Sequence, residues 1–502
     1  MFRKVLIANR GEIAVRIIRA CRDLGIVPIA VYSEPDRASL HVRFADEAYL
    51  LGPAPSLESY LAIEKVIEAA KRSKADAIHP GYGFLSESPQ FAVACADAGI
   101  TLVGPSAESM RMIGSKTSAR SLLLRQGIAI VPGTYSALMS VEEALREART
   151  LGYPVMIKAS AGGGGKGMRF VAGESSMASD FVAAGSEALR AFGDSSVYLE
   201  KYMVRPRHIE IQILADRFGN VIHLGERECS LQRRHQKVIE ESPSPVVEEK
   251  LRRNMGEAAI QIARAARYEN AGTIEFLVDS DRNFYFLEMN TRLQVEHGIT
   301  ELVNGIDIVH EQFRIAAGEK LSLRQEQVQM RGWAMECRIY AEDPERHLPS
   351  AGVIRGLQEP QGPGVRLDSG VYQGWEVSIH YDPLLAKLMT FGADRKQAIA
   401  RMKRAIQEYR VIGIKTNLPL LSEILSDREF EAGDVHIGFI EELQSRVSTP
   451  KKQTPAVFHG HALAAALAYA DTNNTSPVNL GTETASAWKL SGRPGFIDKL
   501  HR

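Results

Sequence analysis

An α/β fold built on a parallel sheet is what this 502-residue sequence predicts for its opening segment. Three observations carry it. Short β-rich runs alternate with helical patterns through residues 1–114, a strand–glycine loop–strand unit follows, and long strands crowd residues 204–330. Strands that alternate with helices imply parallel pairing with helices on both faces.

The elements follow in order. Val5–Ala8 is a short apolar strand, and Glu12–Cys21 repeats apolar residues at Ile13, Ile17 and Ala20, one face of a helix. Ile26–Tyr32 reads as a strand, Tyr60–Lys71 as a helix, Ala75–Ile78 as a strand, Phe91–Ala98 as a helix and Thr101–Val103 as a strand. After the first strand comes Asn9-Arg10-Gly11-Glu12, which is not G-x-G-x-x-G, so a dinucleotide-binding domain is disfavoured. From Ser115 to Met203 the order becomes helix, strand, glycine-rich turn, strand, helix and strand. Strands are expected at His208–Leu214, Val221–Leu224, Thr273–Val278 and Phe284–Glu288, then turns and strands to Asp394 and a helix at Lys396–Tyr409. Residues 447–502, with an Ala-rich stretch His461–Ala470, read as weakly structured or as an appended element.

Charge sets a first limit on function. Lys plus Arg is 61 and Asp plus Glu is 61, so no global field favours nucleic acid or an anionic membrane. Phosphate-binding charge must therefore be local. Cys21, Cys95, Cys229 and Cys337 lie far apart without C-x-x-C, which fits reduced thiols and a cytoplasmic location. Neither a signal peptide nor a membrane span is expected.

The strand Tyr153–Ala159 leads into Gly162-Gly163-Gly164-Gly165-Lys166-Gly167 and a second strand, Met168–Val171. Ser160 and Gly167 break the P-loop pattern, and joining two strands differs from opening a helix. Such a loop folds over phosphates in the manner of kinases. Glycines let backbone N–H groups approach an anion, Lys166 adds charge, and the loop suits a mobile lid. A plain hairpin tip is the competing reading. Lys158, beside this loop, is a candidate phosphate contact rather than an edge-strand lysine.

Thr273–Val278 and Phe284–Glu288 flank the polar cluster Asp279–Asn283, so they form a hairpin. A four-residue loop would set Glu275 opposite Glu288, with Asn290 on the same face. Facing carboxylates are unfavourable unless a cation lies between them. Two carboxylates and an amide oxygen are hard ligands, suited to magnesium or manganese. The alternative is a solvated strand face, against which stands the crowding of Glu288, Asn290, Arg292, Glu296 and His297. Residues 226–237, Glu-Arg-Glu-Cys-Ser-Leu-Gln-Arg-Arg-His-Gln-Lys, are a charge run that could be surface or could serve a triphosphate and a small anion.

These segments together resemble biotin carboxylase, a member of the ATP-grasp superfamily. The matching stretches are Ile7–Ala14, His79–Glu87, Gly162–Arg169, Glu228–Lys237, Glu288–His297 and Glu336–Ile339, spread over residues 1–445. The resemblance implies an N-terminal Rossmann-like domain (1–114), an ATP-grasp domain (115–330) whose mobile lid spans about 132–203, and a C-terminal mixed α+β domain (331–446). Residues 447–502 would be an extension. It further implies that Lys116 and Lys158 contact phosphates with Gly163, Gly164, Gly165, Lys166 and Gly167. Glu200, Tyr202 and Met203 would surround adenine, with His208, Gln232 and His235 lining the nucleotide site. Glu275 and Glu288 would face ATP and, with Asn290, bind Mg2+ or Mn2+. Arg292, Gln294 and Val295 would hold bicarbonate, Glu296 would be its base, Lys237 would be catalytic, and Arg338 would face biotin.

The implied reaction is ATP- and bicarbonate-dependent carboxylation of biotin through carboxyphosphate, as a component of an acetyl-CoA/acyl-CoA carboxylase serving fatty acid biosynthesis. A two-subunit pyruvate carboxylase is the alternative parent, and another ATP-grasp ligase or a catalytically dead nucleotide-binding regulator the alternative function. Gly298 stands where proline is expected, and Tyr340 where asparagine is common. Tyr340 with Glu359–Arg366 looks more like acyl-CoA carboxylase α subunits. No Ala-Met-Lys-Met is present, so the biotin carboxyl carrier protein and the carboxyltransferase are expected as separate polypeptides, this chain being a homodimer within a larger complex.

Overall fold

In the computed structural model, which describes residues 1–114, 123, 127–134, 136–160, 167–234 and 236–447, the first strands form a parallel sheet. They are β1 (Lys4–Ile7), β2 (Val27–Ser33), β3 (Glu47–Gly52), β4 (Ala77–His79) and β5 (Thr101–Leu102), in the order β3-β2-β1-β4-β5. Val5 and Ile7 pack with the helix Gly11–Asp23 on one face, while Leu6 meets the helices Ile63–Ser73 and Pro89–Asp97 on the other. Burial on both faces explains the unbroken apolar runs.

Two expectations here need correction. β3 is an additional strand at the sheet edge: its run Ala48-Tyr49-Leu50-Leu51 is apolar, but only Leu51 is buried. The helix expected from Tyr60 starts at Ile63; Tyr60 lies in the preceding turn, buried, its hydroxyl donating to Asp36 Oδ2 at 2.6 Å.

The middle segment is a small antiparallel sheet, order β7-β6-β8, of β6 (Val155–Ala159), β7 (Arg169–Val171) and β8 (Val197–Lys201). Helices Val141–Leu151 and Glu174–Phe192 close its apolar core. The Ser140 hydroxyl caps the first by accepting from the Glu143 N–H.

The largest element is an eight-stranded sheet. It contains β9 (Arg207–Ala215), β10 (Val221–Arg233), β11 (Gln236–Ser242), β12 (Asn270–Val278), β13 (Phe284–Asn290) and β14 (Trp333–Tyr340). Further along the chain come β15 (Gly352–Val353), β16 (Gly356–Gln358), β17 (Val365–Ser369), β18 (Glu376–Val377), β19 (Leu384–Gly392) and β20 (Arg410–Ile412). The order is β13-β12-β9-β10-β11-β14-β19-β17, with β15–β18 and β16–β20 as separate ladders.

The period of two sorts this sheet into unlike faces. Ile209, Ile211 and Ile213 of β9 join the core formed with helix Glu249–Ala265, and Met335, Cys337 and Ile339 of β14 that formed with helix Arg395–Glu408. Full burial of each such side chain contributes roughly 1.5–3 kcal/mol. The alternate positions, His208, Glu210 and Gln212 on β9 and Glu336 and Arg338 on β14, are also buried, but polar.

Glu275 does stand opposite Glu288. The route differs from a four-residue loop: Val278 pairs with Phe284 across the intervening turn, and a register shift between Glu275 and Phe276 then restores the pairing.

Candidate active site

The polar face is assembled from strands distant in sequence. β9 brings His208 and Glu210, β11 brings Lys237, β12 brings Glu275, β14 brings Arg338, and the segment after β13 brings Arg292, Gln294 and Glu296. Lys237 is the centre. Its Nζ lies 2.6 Å from Glu210 Oε2, 2.7 Å from Glu296 Oε1 and 3.1 Å from Glu275 Oε1. Burial works against the Lys237 cation, yet these three carboxylates hold its pKa well above the usual lysine value.

Glu296 is fully buried at the N-terminus of helix His297–Asn304. Burial alone would raise its pKa; Lys237, Arg338 and Arg227 overcome this and hold the carboxyl well below the ordinary range. Arg338 Nη2 donates to Glu296 Oε2 at 3.0 Å, and Arg338 Nε to Glu240 Oε1 at 2.6 Å. Glu275 behaves alike: burial pushes it up, but Lys237 and His208 bring it below the carboxylate range, with His208 Nε2 at 3.0 Å from Glu275 Oε2. Gln232 Nε2 sits 2.7 Å from His208 Nδ1.

Arg292 stands toward the other end. It donates to Glu87 Oε2 at 3.0 Å, Gln294 Oε1 at 2.9 Å and Asn290 Oδ1 at 3.1 Å, joining the segment after β13 to the Glu87 turn of the first domain. Asn290 is buried and Glu288 exposed, so the carboxylate–amide set of Glu275, Glu288 and Asn290 spans the boundary between interior and solvent. Oxygen donors of this kind fit a hard divalent cation. His208, Glu210 and Glu275 also offer ligand atoms within 4.8 Å of one another.

On the small sheet, Lys158 of β6 is ion-paired with Glu200 of β8. Tyr202 packs edge-on against Phe170, ring centroids 4.6 Å apart, and Met203 is half-buried beside it in sequence. Gly167 has φ +70°. An added Cβ there would come 2.9 Å from Ala159 Cβ, which accounts for glycine at that position. Lys116, Gly163, Gly164, Gly165, Lys166 and His235 lie outside the described residues.

The charge run 226–237 divides. Arg227 is fully buried and structural, donating to Glu210 Oε1 at 2.5 Å, Gln212 Oε1 at 2.8 Å, Thr300 Oγ1 at 2.9 Å and Thr273 Oγ1 at 3.0 Å. Arg233 pairs with Glu342, leaving Gln232 and Lys237 to face the cluster. Sequence reasoning misses the contributions of Glu210, Glu240 and Lys387. Glu210 has a signal: Arg207–Ala215 alternates His208, Glu210 and Gln212 with isoleucines, a polar stripe on a buried strand. Lys387 is fully buried, donates to the Val295 carbonyl at 2.8 Å and lies 3.3 Å from Glu12 Oε2, so it fixes the Gln294–Glu296 segment. Gly298 also has a local reason: a Cβ there would come 2.4 Å from Met389 Sδ.

Comparison with known proteins agrees with this geometry. Three family models match in succession: biotin carboxylase N-terminal domain over residues 1–110, carbamoyl-phosphate synthase L chain ATP binding domain over 115–324, and biotin carboxylase C-terminal domain over 336–442. Biotin carboxylase of Pseudomonas aeruginosa is 52% identical over 442 residues, covering 88% of this chain and 98% of the relative. A pyruvate carboxylase subunit from Methanothermobacter thermautotrophicus is 50% identical over 455 residues, covering 90% of this chain and 92% of the relative. A crystal structure of the Campylobacter jejuni biotin carboxylase–β,γ-ATP complex matches with TM-score 0.85 at 46% identity, covering 88% of this chain and 99% of that one.

The fold and site thus define an α/β enzyme of the ATP-grasp class with a parallel-sheet N-terminal domain. The chain belongs to the biotin carboxylase family, and is an ATP-dependent ligase. ATP with Mg2+, and biotin as a carrier-bound substrate, are the cofactors and substrate that fit it. Among the described residues no helix is long and apolar enough to cross a membrane.

Proposed function

We propose that the chain carboxylates biotin on a separate carrier protein as the biotin carboxylase component of an acetyl-CoA or other acyl-CoA carboxylase, through the residues gathered around Lys237. The observation that carries the mechanism is the single cluster in which Lys237 and Arg338 both hold Glu296. Arg292 and Gln294, with the Val295 backbone, bind bicarbonate, and Glu296 removes its proton. A carboxylate held so far down is a poor base at rest. Glu296 gains basicity when the incoming anions draw Lys237 and Arg338 toward themselves, which ties proton removal to substrate binding. The carbonate oxygen then attacks the γ-phosphorus, giving carboxyphosphate and ADP, with Lys158 and Lys237, and the glycine loop with Lys116 and Lys166, neutralising phosphate charge. Collapse releases carbon dioxide and phosphate. Phosphate deprotonates the biotin ureido nitrogen while Arg338 stabilises the resulting anion, which attacks carbon dioxide. Glu275, Glu288 and Asn290 would hold Mg2+, which supplies charge neutralisation at the phosphates.

The domain division at 114/115, 330/331 and 446/447, a homodimer, a carboxyltransferase partner and a cytoplasmic location belong to the same reading; four buried free thiols among the described residues accord with the last. Relatedness to the Methanothermobacter pyruvate carboxylase chain keeps a two-subunit pyruvate carboxylase as the second reading. Purified carrier proteins from the two kinds of complex discriminate. The acyl-CoA reading expects kcat/KM for carrier carboxylation at least ~10-fold higher with the acyl-CoA carboxylase carrier, a difference of about 1.4 kcal/mol. The reverse preference would hand the assignment to pyruvate carboxylase.

A further inference from the structure

Arg338 is gripped by two carboxylates, and the second has a neighbour the reaction above does not use. Glu240 Oε1 lies 2.5 Å from Arg338 Nη2 and 2.6 Å from Nε. Glu240, on β11, stands directly opposite Glu336 of β14, and both have 0% exposure. Neither Glu336 oxygen, nor Glu240 Oε2, has a hydrogen-bond partner among the described residues. Directly opposed residues in an antiparallel ladder have Cβ atoms about 4.5–5.5 Å apart. Burial without hydrogen-bond partners and a like-charged residue directly opposite both work against ionising the two carboxyls together, so they titrate as a pair.

We infer that Glu240 and Glu336 hold one proton between them, and that this acid–carboxylate pair positions Arg338 for the biotin half of the reaction. The inference rests on the biotin-facing role of Arg338 set out above. A pair of charge −1 balances the guanidinium while letting Nη2, shared with Glu240 Oε1, also hold Glu296 at 3.0 Å; a pair of charge −2 would pull the guanidinium back toward β11. The charged groups around Glu336 are Glu240 on β11, Arg338 on its own strand, Lys387 on β19 and Glu296 ahead of the helix packed over this face. The opposite face of β14 is the apolar layer of Met335, Cys337 and Ile339. Lys387 is already engaged by Glu12 and the Val295 carbonyl. Burial, opposed by Arg338, pushes Glu240 up to about 7, and burial, opposed by Lys387, pushes Glu336 well above the carboxylate range.

Infrared difference spectra of wild-type enzyme against Glu336→Gln test the proton directly. The expected result is a protonated-carboxyl C=O band in wild type that the variant lacks. No such band at neutral pH overturns the inference. Kinetics test the positioning. Glu240→Gln is expected to lower kcat for biotin carboxylation ~10-fold, the effect of losing one charge-assisted hydrogen bond, with partial rescue by Glu240→Asp. The KM for ATP should change less than ~2-fold. Glu336→Gln should extend the alkaline limb of the kcat profile, because the pair can no longer reach charge −2. Glu240→Gln with wild-type kcat, or an unchanged alkaline limb in Glu336→Gln, counts against it. If Arg338→Ala lost ATP cleavage equally with and without biotin, the biotin-facing role would fall while the infrared band stood, so the two failures are separable.

Discussion

In the five-stranded sheet both faces are apolar and the polar groups sit at or beyond the strand ends, as with His79 closing β4 and with Arg10 and Asp36, 2.6 Å apart after β1 and β2. In the eight-stranded sheet the middle strands carry a polar, largely charged stripe on one face that is still buried, Glu210, Glu275 and Glu240 being paired with Lys237, Arg338 and Arg227. The first arrangement gains stability from area removed from water. The second must match each buried charge with an opposite one, because an unmatched partner leaves an uncompensated ion in low dielectric. One sheet is a scaffold; the other is preorganised for charged substrates.

Breaking the second arrangement should have the largest effect. Lys237→Met strands Glu210, Glu275 and Glu296 without their shared cation, and is expected to cost ~3–5 kcal/mol in denaturant unfolding. It should also abolish bicarbonate-dependent ADP release. Leu6→Ala, in the scaffold sheet, is expected to cost ~2–5 kcal/mol by opening a cavity, while the folded fraction keeps its KM for ATP. Equal kinetic damage from both would erase the distinction between the sheets.

A smaller effect is expected where the active-site helix begins. Gly298→Ala places a Cβ 2.4 Å from Met389 Sδ and should cost ~1–3 kcal/mol, recovered in part by adding Met389→Ala. Full additivity of the two would show that they do not meet.

The subtlest difference is the response to pH. Burial lowers His41, in the helix Leu40–Phe44, to about 4 and His79, at the end of β4, to about 3, against an unperturbed 6.5, so the folded first domain keeps both neutral. The unfolded state then binds more protons between those values, and stability falls as pH drops from 6.5 toward 4. Glu240 has the opposite sign. Raised from 4.5 to about 7, it contributes stability that is present below 4.5 and lost as pH rises through 7. Amide hydrogen exchange followed region by region should show β1–β4 opening first in acid and β11–β14 loosening first in alkali. Uniform loosening in both directions would contradict it.

The same contrast explains what the sequence could and could not disclose. β1 and β2 are legible because burial on both faces leaves apolar runs, whereas β3 carries an equally apolar run, Ala48–Leu51, at an exposed edge where no neighbouring pattern marks it as a strand. On the polar face the hairpin pairing of Glu275 with Glu288 follows from local spacing, although the register shift that produces it does not. Lys237 and Arg338 are visible through the family motifs, but the convergence of Lys237 on Glu210 joins residues 27 apart and that of Lys387 on Glu12 joins β19 to the first helix. Arg227 lies in a charge run that residue type alone leaves open between surface and site, and Lys387 has no sequence signal of its own; only the strand register turns them inward.

ADP release from purified protein with Mg-ATP and bicarbonate, measured with and without free biotin in wild type, Glu296→Ala and Arg338→Ala, tests the central assignment most directly. The account predicts biotin-stimulated release in wild type, none in Glu296→Ala, and a ratio with to without biotin that collapses to one in Arg338→Ala. Biotin stimulation that survives Arg338→Ala, or bicarbonate-dependent release that survives Glu296→Ala, would contradict it.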